Sequence, residues 1–244
     1  MRRLTSERNN LPLHSPLYPT PFVPYSCPRN RTLTVICEGN LDSINEILSY
    51  TPFQFASNNF VISVSDFENC SAIPFMDVGV IFPVKFRDLI GGFWAYEYED
   101  NDESIAAGRE LWGYPKKFAS AKLEEKGNHV MAVVERKGVK LIEVELTLTG
   151  DPVPEIRTYP HLLLQVIPNA EKPGVFLKRI LARDTSPDFV TKDRKTGTAT
   201  VAFGKLDSDP IFKLGPTKVL GGVYTVGDFF ATEKNGWAKI ISTL

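Results

Sequence analysis

Lys116 and Lys117 stand side by side after Pro115, within residues 102–123, DESIAAGRELWGYPKKFASAKL. The stretch opens as a short helical candidate, with Asp102 or Ser104 as its cap and Glu103 in the first turn. The helix should fail at Gly113-Tyr114-Pro115, because proline lacks a donor and drives the residue before it out of the α region. The alternating run 116–123 then reads as a strand, so the two lysines begin it and point to opposite faces. One ammonium group is thereby directed inward. With no acid beside it in sequence, burial should lower its pKa and leave part of it as free amine at neutral pH. Such an amine is a nucleophile for a ketone. The plain alternative is a solvated pair on an open face, but Trp112 and Phe118 on either side favour a site walled from water.

Other chemistries find few residues to carry them. His14, His129 and His161 are scattered, without HExxH or paired spacing, which argues against a zinc or iron site. Each reads as a surface or satisfied core histidine. Cys27, Cys37 and Cys70 share no close ligand spacing and read as free thiols in a reducing cytoplasm. There is no GxSxG, Walker or GxGxxG motif. A formal net charge of -1 provides no basic field for nucleic acid. No apolar run is long enough to cross a bilayer, and the opening MRRLTSERNNLPLHSPLYP has no continuous apolar core of a secretory signal.

The elements that must position the lysines are mostly strands. Residues 1–30 carry six prolines interleaved with Leu, Tyr and Phe, and read as an extended arm laid over the body. Residues 31–244 then form one domain. Asn40 should cap a short helix over 41–48. Strands are expected at 32–37, 60–67, 78–86 and 93–99, then as a meander at 119–123, 129–135 and 139–149. In the last of these the apolar phase slips between Leu141 and Val144, which a bulge would repair. Further strands are expected at 162–167, 175–183, 198–203, 219–229 and 237–241. The fold class is mainly β (α+β): a large curved antiparallel sheet closing into a cone-like barrel, with few short helices, since closure removes unpaired edges.

The block Gly108-Arg109-Glu110-Leu111-Trp112-Gly113-Tyr114-Pro115-Lys116-Lys117 resembles the signature of the acetoacetate decarboxylases. The resemblance continues through PHLLLQVIPN at 160–169 and more weakly through 58–83. It implies a mostly β, cone-like barrel with Lys116 as the Schiff-base lysine in an interior cavity and Lys117 as a secondary catalytic neighbour. It implies Glu110 as a polar catalytic residue of the pocket, with Arg109, more structural in role, and Trp112 also at the substrate pocket. Asp77, in FMDVGVIFP, falls where the family has a longer glutamate; a further family glutamate meets Ile62 or Ser63 here. The family's substrate-side arginine matches Arg29 or Arg31.

The implied activity is a cytoplasmic, homo-oligomeric lyase that needs no metal or organic cofactor and decarboxylates acetoacetate or a related β-keto acid. Aldol or dehydration chemistry on a 2-oxo acid through the same imine is the alternative. A scaffold that only binds a small oxo acid is the non-catalytic one.

Overall fold

Alternating apolar and polar residues dominate the chain and give strands of period two. The computed structural model describes residues 9–216 and 218–244; the first eight residues of the expected arm lie outside the described residues. The strands are β1 (Tyr25–Glu38), β2 (Gln54–Phe55), β3 (Asn59–Asp66), β4 (Met76–Phe86), β5 (Leu89–Glu99), β6 (Lys116–Phe118) and β7 (Ser120–Lys126). There follow β8 (His129–Arg136), β9 (Val139–Thr147), β10 (His161–Pro168), β11 (Val175–Arg183), β12 (Val190–Phe203), β13 (Lys218–Ala231) and β14 (Lys239–Thr243). Helix α1 (Leu41–Leu48) is capped by Asn40, whose side chain accepts from the Ser43 amide at 3.1 Å. Helix α2 (Asp102–Ala107) precedes the lysines.

The strands form one sheet in the order β14-β11-β10-β5-β4-β3-β1-β13-β12-β9-β8-β7, with β2 beside β4 and β6 beside β5. The expected closure into a barrel does not occur. The sheet is an open path with β14 and β7 at its ends. Its edges are protected differently: β7 exposes Lys122, Glu124, Glu125 and Lys126, and β14 is only 5 residues long. Charges and short length both discourage further pairing. Nor is every pair antiparallel, since β5 runs parallel to β6 and to β10.

Curvature comes from β12, whose first half pairs with β13 and second half with β9, so the β7–β9 meander turns away from the rest. The bulge expected in the meander is present, with Leu141 as the extra residue opposite β8. The first half of β12 escapes the sequence pattern because VTKDRKTG is charged and largely exposed.

The main sheet has a core on each face. Leu33 and Val35 of β1, with Ile62 and Val64 of β3, pack against the meander. Ile36, Val61 and Ile81 face the other way, towards Trp94, Trp112 and Tyr114. The arm seals this second face: Tyr18, Phe22 and Val23 are buried, and Phe22 meets Trp112 edge-on at 5.7 Å. From Tyr25 onward the arm is already β1.

The free-thiol expectation fails for two cysteines. Cys27 and Cys70 are joined in a disulfide across a sequence separation of 43. Spacing could not reveal it, because the fold brings the start of β1 beside the loop after β3, where the Ser71 amide donates to the Ser26 carbonyl at 2.7 Å. Cys37 is free and buried, and burial pushes its thiol up to about 12. Among the described residues, no helix is long and apolar enough to cross a membrane.

Asp209 ties the sheet halves together. Fully buried, it accepts from Lys117 Nζ at 2.7 Å, Arg136 Nε at 3.1 Å, Ser208 Oγ at 2.9 Å and Tyr98 Oη at 3.2 Å. Burial opposes its charge, but the bonds from Lys117, Ser208 and Arg136 prevail and hold its carboxyl below the usual range. A group with a depressed folded pKa contributes stability above its unfolded pKa and loses it as pH falls through the folded value. Asp209→Ala should therefore cost about 2–3 kcal/mol at neutral pH in urea unfolding. The gap between parent and variant should shrink in acid.

Candidate active site

The lysine pair is placed by a helix that loosens before it ends. Asn101 caps α2, its side chain accepting from the Glu103 and Ser104 amides at 2.9 and 3.4 Å, a role expected for Asp102 or Ser104. The next five residues, Gly108–Trp112, form a π-helical turn that stops at Gly113, whose φ is 76°. Widened turns of this kind are frequent at functional sites. Gly108 leaves room for the methylene stem of Lys116, since a Cβ there would strike Lys116 Cδ and Cε. Arg109 Nη1 donates to the Lys116 carbonyl at 3.0 Å, clamping the backbone after Pro115.

The run 116–123, expected as one strand, is two. Ala119 separates β6 from β7, its amide donating to the Glu99 carbonyl at 2.9 Å. Strand β6 lies parallel to β5, with Lys116 opposite Glu97 and Lys117 opposite Tyr98. The side chains do point to opposite faces. Lys117 joins Asp209 and is 40% exposed, whereas Lys116 is buried.

Three carboxyl groups surround Lys116 Nζ. Glu99 Oε1 is in direct contact, Glu97 Oε1 is 3.4 Å away and Asp77 Oδ1 is 3.8 Å away. This overturns the expectation of an inward lysine without acids, because its partners come from β4 and β5 and not from its own neighbours in sequence. Burial pulls Lys116 down, but Glu97, Glu99 and Asp77 outweigh it and hold the ammonium above its ordinary value. The acids respond in turn. Burial pushes Glu99 up to about 7, against Lys116 and with Asp77. Glu97 is driven well above the carboxylate range by burial, with Asp77 and Glu99 adding to the effect and Lys116 opposing it. Glu97 is therefore the acid of the group that most favours holding a proton, and Glu99 sits where it can take or give one near neutrality. The ligand atoms of the three acids lie within 4.8 Å of one another, close enough to hold a cation, and Lys116 Nζ already stands against all three.

The cluster opens onto a cavity of about 540 Å³. Asp77, Glu97, Trp112 and Lys116 line it, with Tyr114 and His161. Tyr114 Oη lies 2.5 Å from His161 Nδ1 and accepts from Arg183 Nη1 at 3.5 Å. Burial keeps the Tyr114 phenol protonated, so its proton goes to Nδ1 and His161 carries its own on Nε2. That Nε2 is buried without a hydrogen-bond partner among the described residues. Burial, then Arg183 and Lys116, hold His161 well below the usual imidazole range, so it is neutral. The Arg183 guanidinium lies 4.1 Å over Trp112 and donates to the Gly236 carbonyl at 2.7 Å.

Of the residues expected from sequence, the structure brings Lys116, Asp77 and Trp112 together at the cavity. Asp77 lies inside β4, opposite Glu99, and not in a turn. The remainder stand apart. Glu110 is exposed and accepts from Tyr18 Oη at 2.8 Å, fastening the arm. Arg109 acts on the backbone. Arg29 is exposed, with its amide bound to Asp228, and Arg31 pairs with Asp66; neither lines the cavity.

The residues that sequence reading missed are Glu97, Glu99, Tyr114, His161 and Arg183. A signal existed for the glutamates, two acids at i and i+2 in the otherwise apolar run FWAYEYE. A bulge at Ala95 obscured it: two β5 residues, Trp94 and Tyr96, meet consecutive residues Ile81 and Val80 of β4, so the phase changes and Trp94 shares the cavity face with Glu97.

A family model described as acetoacetate decarboxylase matches residues 10–237. The chain belongs to the acetoacetate decarboxylase family. It is 25% identical over 235 residues to an acetoacetate decarboxylase of Burkholderia multivorans, covering 89% of each chain. Among solved structures, one of an acetoacetate decarboxylase superposes with a TM-score of 0.87 at 17% identity, covering 100% of this chain and 98% of that one. The acetoacetate decarboxylase of Legionella pneumophila gives 0.82 at 18% identity, covering 97% and 95%. MppR, an enduracididine biosynthesis enzyme complexed with pyruvate, gives 0.70 at 15%, covering 90% of each. At such identities the structures establish a shared fold alone. Family membership makes the chain an acetoacetate decarboxylase-like enzyme, and the block 108–117 that suggested the family is the one that builds the lysine site.

Gly108 offers a direct check on that geometry. Gly108→Ala should displace the Lys116 stem and slow reaction of the amine with a ketone by roughly 10²-fold, the scale of an ångström misplacement. The circular dichroism spectrum should be unchanged. An unchanged rate of borohydride trapping would show that the stem does not depend on this contact.

Proposed function

We propose that this protein is a Schiff-base-forming lyase that decarboxylates a β-keto acid on Lys116. The observation that carries the reading is a buried amine facing a cavity with a carboxyl group in contact to take its proton. Glu99 accepts that proton, and the freed amine adds to the ketone carbon. The ketone oxygen is protonated and leaves as water, giving an iminium. The bond to the substrate carboxylate then breaks, carbon dioxide departs, and the electron pair becomes the enamine double bond. Glu97, protonated and 3.4 Å from Nζ, returns a proton to carbon. Water finally hydrolyses the new iminium and restores the amine.

Charge favours decarboxylation over the alternatives. The carboxylate of a β-keto acid lies one carbon from the imine carbon, within the field of the three acids around Nζ. Losing it as neutral carbon dioxide leaves its electron pair on the iminium, so a zwitterion collapses to two neutral products, a change that a water-poor site favours. An aldol or dehydration step on a 2-oxo acid keeps the carboxylate charged. The fold shared with MppR, solved with pyruvate, keeps the 2-oxo acid reading as the second one.

Borohydride trapping with acetoacetate should add mass at Lys116. Lys116→Arg should fold but abolish both trapping and carbon dioxide release, because a guanidinium stays protonated. Lys117→Ala should retain trapping, since that lysine faces Asp209. Trapping at any other lysine would remove Lys116 from its role.

The acid limb is a separate check. As pH rises through about 7, Glu99 ionises and becomes able to take the Lys116 proton, so kcat/KM should rise over that range. Glu99→Gln should flatten this limb and lower the plateau by about 10²–10⁴-fold. A limb unchanged in Glu99→Gln would assign the titration to another group.

A further inference from the structure

The cavity extends far beyond Lys116, and its floor is a row of polar side chains. Asp77 on β4 faces Ser65 on β3, which faces Thr32 on β1, then Thr225 on β13 and Arg194 on β12. All five line the cavity. A neighbouring row contributes Ser63 and Thr34, paired across β3 and β1. Alternate residues of the same strands, Leu33, Val35, Ile62 and Val64, are core. The hydroxyls are therefore not an accident of a polar strand: the period of two sends every one of them to the cavity face.

These groups are open to a ligand. Thr32 and Ser65 share a hydrogen bond of 2.9 Å, but Thr34, Ser63 and Thr225 make no side-chain hydrogen bond among the described residues. Arg194 likewise has no ion pair or side-chain hydrogen bond among them, while Lys192 and Lys195 on the same strand pair with Asp228 and Asp193. Four strand spacings of about 4.8 Å separate Asp77 from Arg194, and inward-leaning side chains leave roughly 8–12 Å between reactive amine and guanidinium. A volume of about 540 Å³ falls among sites that enclose drug-sized ligands, roughly 300–1,000 Å³. A four-carbon oxo acid would leave most of it, and the whole hydroxyl row, untouched.

We propose that the substrate is an oxo acid whose chain beyond the reacting ketone bears hydroxyl groups and ends in a second anionic group. The hydroxyls lie along Ser63, Thr34, Ser65 and Thr225, and the anion meets Arg194. Phe67 and Phe229, which also line the cavity and meet edge-on at 5.6 Å, cover the C–H faces of the chain. The proposal rests on the imine reading only for where the ketone sits.

Binding of unreactive acids tests it without imine chemistry. Glucarate, adipate and gluconate, all six-carbon acids, should be titrated calorimetrically into the parent, Arg194→Gln and the double variant Thr34→Val/Ser63→Ala. Glucarate should bind the parent about tenfold or more tightly than either adipate, which lacks hydroxyls, or gluconate, which lacks the second carboxylate. Arg194→Gln should reduce glucarate to the level of gluconate, and the double variant should reduce it towards adipate. Adipate binding as well as glucarate, no binding of any of the three, or a glucarate preference indifferent to Arg194→Gln would overturn the proposal. Failure of borohydride trapping beside intact, Arg194-dependent glucarate binding would overturn the imine reading and leave this one standing.

Discussion

The parallel pairing of β6 with β5 sets the terms for everything near the cavity. It puts Lys116 opposite Glu97 and one step from Glu99, while the antiparallel partner β4 supplies Asp77 from the far side. Four ionisable groups are thereby concentrated where water is scarce, and they cannot all be charged. Bringing a second and third anion into such a place costs more than one ammonium returns. Proton affinities are redistributed instead, with Glu97 raised the furthest, Glu99 balanced near neutrality and Lys116 held as the cation. The proposed imine chemistry needs its lysine as an amine at the moment of attack. On that reading the cluster meets the need by keeping an acceptor in contact with the ammonium, and not by driving the lysine's own proton into solvent.

That arrangement depends on supports that never touch a substrate. The β6 backbone is clamped from one side by Arg109 and anchored on the other by Lys117 in the Asp209 network. Gly108 allows the Lys116 stem to pass over the π-helical turn, and Gly113 turns the chain in a left-handed conformation where a Cβ would strike Gln165. The two lysines thus divide their labour through strand geometry. A period of two gives one to the cavity and the other, half-exposed, to the opposite face, where it is bound to the buried Asp209.

Local signals carried much of the architecture. Asn40 and its helix, the meander with its bulge near Leu141, and the proline-terminated segment before Lys116 are decided by caps, turns and alternation within a few residues. The site was half legible for the same reason. Lys116, Trp112 and Asp77 sit in motifs that resemble a family, but Glu97 and Glu99 lie on a bulged strand whose phase cannot be read without its partner. Arg183 and His161 come from β11 and β10, and only the strand order brings them beside Tyr114. The disulfide and the open edge are likewise long-range facts. Closure was inferred from the cost of free edges, yet charged side chains on β7 and a short β14 manage that cost without it.

The cavity has two electrostatic ends, and their difference bears on what reacts. Around Lys116 the acids outnumber the cation, whereas the far end presents Arg194 with no acid paired to it among the described residues. The Lys116 cluster still presents an ammonium to the cavity, and the buried Arg183 lines the same cavity. A monoanionic β-keto acid can therefore settle its carboxylate at either end, and at Arg194 its ketone lies far from the amine. On the proposed reading a dianion resolves this: one charge is held at the Arg194 guanidinium, and that binding energy fixes the other carboxylate and the ketone beside Lys116. Binding energy from a remote group is thereby spent on the reacting carbon, which is the condition for raising kcat and not merely lowering KM.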